Sequence, residues 1–186
     1  MKIITRKLEK GFTLLETLLV VGFISLACIG LYTTAKFANT LINANLEASR
    51  LKALGDVLVG SYGVIGDYST LTTAVVASNP SLLPTGMVDS STGNLVNEFG
   101  GTIQIQQAPA LTNLSGVVLQ GFTIVDNDID QKACIRVVTN TAGMFSQTKV
   151  NNQVVQPVFG QVNLLALSVY CSQNSSATIS FTYYAN

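Results

Sequence analysis

The strongest constraint on this chain is an apolar run near its amino terminus, Phe12 to Tyr32, which carries one carboxylate, Glu16, close to its start. A helix that crosses a bilayer takes about 20 residues, so the run is long enough to span one. A soluble body of this size would leave much of that surface uncovered. An ionisable group inside an apolar span costs roughly 2.5–3.5 kcal/mol on insertion scales, so Glu16 needs a partner. Before the run, Lys2, Arg6, Lys7 and Lys10 stand against Glu9 alone. Basic residues beside a span hold that end in the cytoplasm, so the body beyond Tyr32 is expected to be exported.

Two ordinary readings compete. A secretory signal peptide also begins with basic residues and an apolar stretch. It would not usually carry a Glu near its start, and Ser25 to Cys28 offer only a weak small-residue cleavage site. A plain signal anchor is the other. The sequence Gly11-Phe12-Thr13-Leu14-Leu15-Glu16, set behind a short basic leader, resembles the processing motif of type IV pilins. The resemblance implies that a prepilin peptidase cuts between Gly11 and Phe12 and methylates the new amino terminus. It also implies that the Phe12 ammonium of one subunit neutralises Glu16 of a neighbour inside the filament core. Pairing of opposite charges is what makes a buried charge tolerable.

With 186 residues, the chain has room for one domain and a long helix. The formal net charge of zero conceals an asymmetry, because the leader is locally +3 and the remainder holds six basic and nine acidic side chains. A mildly acidic exported body without a basic patch argues against direct nucleic-acid binding. Cys28 lies in the apolar run and is read as a small hydrophobe. Cys134 and Cys171 lie in the exported body, where oxidation is expected, and they are predicted to pair. Such a bond stabilises by about 3–4 kcal/mol in the chain-entropy description. The chain has no His and no closely spaced Cys pair, so neither a metal nor another cofactor is expected. No nucleophile and base are assembled, and an enzyme is the least favoured class.

Beyond Tyr32 no proline occurs before Pro80, so a helix begun at Thr13 can continue. At 100° per residue it carries two apolar stripes. One holds Leu31, Ala35, Ala38, Ile42, Leu46, Ala53 and Val57; the other, nearly opposite, holds Phe37, Leu41, Ala44, Ala48, Leu51 and Tyr62. Polar flanks separate them, with Lys36, Asn43, Glu47 and Arg50 on one side. Two stripes imply two partners, the chain's own sheet and neighbouring subunits; a helix buried on both sides within one domain is the alternative. Gly22 and Gly30 would weaken a water-exposed helix, whereas small residues permit close helix packing in lipid. Many pilins of the better-known subclass have a proline where this chain has Thr33, a departure from that subclass's pattern.

Residues 60–100 connect helix to sheet, with a short helix at Thr70 to Ala77 that Asn79-Pro80 stops. Thr102 to Gln106 alternates strictly and marks a strand with one buried face. Val117 to Val125 reads as a second strand. Asp126, Asn127, Asp128 and Asp130 lack the glycine and terminal glutamate of a twelve-residue calcium loop. Asp126 or Asp128 is expected to cap a helix from about Ile129 to Val138 that carries Cys134. Phe145 to Val158 is polar and reads as a solvated hairpin, Asn163 to Tyr170 as a short helix delivering Cys171, and Thr178 to Tyr183 as a closing strand.

Leu83-Pro84-Thr85-Gly86-Met87, then Phe99-Gly100-Gly101 before a strand, then two cysteines, look like the type IVb major pilins, most of all the conjugative and thin-pilus group. The short leader departs from many of that subclass. The resemblance implies an α+β type IV pilin fold: a long N-terminal α-helix on an antiparallel β-sheet, with a C-terminal region bounded by the Cys134–Cys171 disulfide. The expected organisation is a cleaved leader at 1–11, a membrane and filament-core half-helix at 12–32, an amphipathic half at 33–62 and a globular head at 63–186. The implied function is a major pilin that polymerises with copies of itself for adhesion, aggregation or conjugative mating. Implied partners are the prepilin peptidase, the assembly platform and motor proteins, and the inner membrane before assembly on the cell surface. A minor pilin or secretion pseudopilin would share the leader motif. A monomeric membrane-anchored binding protein is the alternative from another class.

Overall fold

The computed structural model describes residues 13–64 and 66–185. Helix α1 (Leu14–Tyr62) is followed by the short helix α2 (Thr73–Ala77) and a single 3-10 turn, Pro80–Leu82. Then come β1 (Ile103–Gln107), β2 (Leu111–Thr112), β3 (Val118–Leu119), β4 (Gly121–Asp130), α3 (Gln131–Thr141), β5 (Gln147–Val150), β6 (Gln153–Gln156), α4 (Leu164–Ser172) and β7 (Ser176–Tyr184). The chain divides into two compact units between Asn39 and Thr40.

In the first unit α1 runs through Gly22, Gly30 and Thr33 without a break. Its hydroxyls turn back onto its own carbonyls: Thr17 donates to Leu14 O at 2.9 Å, Ser25 to Val21 O at 2.8 Å and Thr33 to Gly30 O at 2.9 Å. Polar groups satisfied in this way do not demand water, which suits a helix in an apolar medium. The large side chains of this half are exposed, Leu14 at 81% and Phe23 at 66%.

In the second unit five strands form one antiparallel sheet in the order β1-β4-β7-β5-β6. Alternation puts Ile103 and Ile105 of β1, Phe122 and Ile124 of β4, and Ile179 and Phe181 of β7 into one core. Ala44, Leu51, Leu54 and Leu58 of α1 enter the same core, as do Val137 of α3 and Leu167 of α4. An aromatic series carries this packing from the end of α1 to the sheet. Tyr62 lies 6.3 Å from Tyr68, Tyr68 5.7 Å from Phe122, and Phe122 5.4 Å from Tyr183, between ring centroids.

Several expectations are corrected. Asp126 is not a helix cap; it belongs to β4, which extends to Asp130, and its side chain is wholly buried. The strand continues because a register shift between Asp126 and Ile129 restores pairing with β7, and Asp128 takes the left-handed conformation there. Asp130 is the cap, accepting from Lys132 N at 2.8 Å. Val117 to Val125 is two strands: β3 pairs with β2 in a separate ribbon, and β4 starts at Gly121. The expected solvated hairpin joins the main sheet through β5, and burial of Thr148 and Gln156 is supported by their mutual bond at 3.0 Å. Glu47, expected on a polar flank, is fully buried.

Candidate assembly site

Gly11 and Phe12, the expected processing residues, lie outside the described residues. Glu16 stands in the first turn of α1, exposed, amid Leu14, Leu15, Leu18 and Leu19. Thr13 caps this turn: its hydroxyl and carbonyl accept from Glu16 N at 3.3 and 3.0 Å, and the carbonyl also accepts from Thr17 N at 3.1 Å. The unpaired amides of a helix start favour a negative charge, so the position of Glu16 suits its carboxylate. Among the described residues none pairs with that carboxylate. Cβ atoms built on Gly22 and Gly30 would meet nothing of the described chain within 4 Å.

The compact head exposes one face of α1 and covers the other. Ala44, Ala48 and Leu51, from the second stripe, are buried, whereas Ile42 and Leu46 of the first are 55% and 47% exposed. Asn45 anchors one flank, its Oδ1 accepting from Arg136 Nε at 3.0 Å and Asn140 Nδ2 at 2.9 Å on α3. The head therefore presents an apolar strip of α1 that its own core does not use.

The other flank is fastened by polar groups that the helical wheel misassigned. Glu47 Oε2 accepts from Glu98 N at 2.9 Å, and Arg50 forms an ion pair with Glu98. Asn97, beside them, donates to Asp126 Oδ1 at 2.7 Å and to Asn127 O at 2.6 Å. Its Oδ1 accepts from Phe99 N at 2.9 Å and Gly101 N at 2.7 Å. The Phe99-Gly100-Gly101 turn is thus folded around one amide side chain. Gly101 is required by approach, because a Cβ there would sit 2.0 Å from Asn127 O. Nothing in hydropathy points to this cluster; the only sequence signal is a Glu on a helix flank that falls three residues from a buried Ala44.

Cys134 of α3 and Cys171 of α4 form a disulfide with Cα atoms 5.8 Å apart, and both are buried. Cys28 is a free, exposed thiol in the apolar half of α1.

Residues 41–184 match the PilS N-terminal family. The chain is 24% identical over 199 residues to the major structural subunit of bundle-forming pilus of Escherichia coli O127:H6 (strain E2348/69 / EPEC), with 98% of this chain and 97% of that one covered. It is 27% identical over 146 residues to the subunit of the same name from Escherichia coli O111:H-, covering 76% and 70%. Among solved structures, a type IV b pilin from Salmonella typhi superposes with a TM-score of 0.54 at 23% identity, over 74% of this chain and 97% of that one. TcpA, a type IV pilin from Vibrio cholerae El Tor biotype, gives 0.52 at 17% identity, over 75% and 98%. At these identities the structural likeness is one of fold.

Proposed function

The chain belongs to the PilS N-terminal family, has the type IV pilin fold, and from that membership we propose that it is a type IVb major pilin, the structural subunit of a pilus. The observation that carries the reading is the exposed apolar half of α1, which has Glu16 as its one carboxylate among the described residues; the head, for its part, leaves Ile42 and Leu46 uncovered. In lipid this surface is satisfied by acyl chains; in a fibre it is satisfied by the same surface of other subunits. The role is structural rather than catalytic.

In this proposal the leader, residues 1–11, is removed between Gly11 and Phe12 by a prepilin peptidase. Residues 12–32 anchor the precursor in the inner membrane, 33–62 join them to the head, and 63–186 complete the head. The new Phe12 ammonium of one subunit then meets Glu16 of a neighbour, which fixes the axial register as the subunit leaves the membrane. Energy for extension comes from separate assembly and motor proteins.

The test is mass spectrometry of the amino-terminal peptide in sheared surface material from wild type and Glu16→Ala. The expected result is an abundant peptide beginning at methylated Phe12 in wild type, lost from the fibre fraction in the variant. An uncleaved chain confined to the membrane and indifferent to Glu16 would sink the proposal and leave an anchored monomeric domain.

A further inference from the structure

Two acidic side chains, Glu47 on α1 and Asp126 on β4, are both fully buried in the head. Each has one oxygen in use and one idle. Glu47 Oε2 accepts from Glu98 N and Asp126 Oδ1 from Asn97 Nδ2, while Glu47 Oε1 and Asp126 Oδ2 are buried without a donor. A buried polar atom left unpaired costs about 1–3 kcal/mol, and more when charged. Two such atoms in one dock therefore call for a common explanation.

We propose that Glu47 and Asp126 share one proton, carried on Asp126 Oδ2 and donated to Glu47 Oε1, so that a hydrogen bond between carboxyls latches α1 to the sheet. One proton supplies the missing donor for both idle oxygens. A resident cation fits less well. Calcium takes 6–8 oxygen ligands, whereas this cluster offers the two idle carboxyl oxygens: Glu98 Oε1 is taken by the Arg50 ion pair, Asn97 Oδ1 is already engaged by two amides, and the backbones are closely packed at Gly101.

The surrounding groups fit this assignment. On α1, Arg50 is the cation beside Glu47, but it is held by Glu98; Asn43 Nδ2 reaches Glu98 O at 3.5 Å. On β4, Asp126 is paired in register with Ile103 of β1 and Ile179 of β7, which offer no charge. Burial pushes Glu47 up to about 7, with Glu98's charge adding to the rise and the Glu98 amide and Arg50 opposing it. Burial first, then the charge of Glu47, raises Asp126 well above the usual carboxylate range, against the Asn97 hydrogen bond. Asp126 is the natural proton holder, and Glu47, nearer to Arg50, the acceptor.

Both groups bind protons more tightly folded than unfolded. Their stabilising effect is complete below the ordinary carboxylate values, near 4, and declines as pH rises through about 7 and beyond. Across that window the one shared proton multiplies the unfolding constant by up to about tenfold per pH unit.

The test uses the full chain in detergent micelles with carbon-13 in the aspartate carboxyls, which keeps Glu16 out of the spectrum. At about pH 6 the infrared C=O stretch of one protonated aspartate is expected, together with a melting temperature that falls from about pH 5 to about pH 9. Asp126→Asn, whose amide can donate where the acid did, should lose the band, melt no lower than wild type at neutral pH and flatten the pH dependence. Glu47→Gln should flatten it as well. Absence of the protonated band in wild type would overturn the proposal even if neither variant folds. A folded Asp126→Asn that keeps the full pH slope would overturn it too.

Discussion

At Gly121 the β4 backbone passes so close to β7 that a Cβ would sit 1.8 Å from Tyr183 O. The residue directly precedes Phe122, a member of the aromatic series, so a shift there is felt in the core. Gly121→Ala is expected to destabilise the head by about 1–3 kcal/mol, the usual range for overpacking, because backbone rather than a mobile side chain must yield. Denaturant unfolding measures it, and an unchanged midpoint would contradict the geometry. The same scale separates what could be read from sequence and what could not. Ile103 and Ile105 announce themselves by alternation, and the structure buries both. Glu47 does not, because its burial depends on the Glu98 amide, which comes from a segment 51 positions along the chain. Charge and helical angle assign such a residue to water until its partners are known.

Among the elements, α3 and α4 depend on each other. α3 places Ala133, Cys134, Val137 and Val138 in the core and α4 places Leu167 and Cys171 there, and the Cys134–Cys171 bond closes a separation of 37 residues between them. Replacing both cysteines by serine should cost about 3–4 kcal/mol in the chain-entropy description, and the loss should vanish when wild type is measured under reducing conditions. The disulfide was legible because only two cysteines lie beyond the apolar run. The β5–β6 hairpin was legible as a hairpin but not as part of the main sheet. Gln156 is buried because Thr148 Oγ1 bonds its Oε1 and its Nε2 reaches Phe145 O and Gly160 O, each at 3.1 Å. Hydropathy places that glutamine in solvent, and only its hydrogen-bond partners, which hydropathy does not register, make the interior tolerable for it.

For the whole molecule, stability and, under the proposed function, assembly fall on opposite sides of the same helix. Leu51→Ala removes a fully buried side chain and should destabilise the head by about 2–5 kcal/mol. Leu46→Asp alters a side chain that is half in solvent, so folding should change by no more than about 0.5 kcal/mol. Under the proposed function the second substitution nevertheless lowers the yield of sheared fibres. Thermal melts and fibre recovery on the same pair of variants check the division; a Leu46→Asp chain that assembles normally would remove the outward strip from the interface. The two-stripe pattern of α1 made a buried and an exposed face visible in sequence, although the stripes alone did not say which faced inward.

The amino-terminal half of α1 has a further property as a geometric object. Leu14, Leu15, Leu18, Leu19, Val20, Val21, Phe23 and Ile24, stepped at 100°, occupy every azimuth, and the hydroxyls among them are folded onto the backbone. Toward an apolar surrounding the segment is close to a featureless cylinder, free to spin or slide with little change in energy. A single carboxylate breaks both symmetries at once. Under the proposed function, in a bundle of such cylinders Glu16 acts as a key on a smooth shaft, selecting one rotation and one height where the hydrocarbon surface would accept them all.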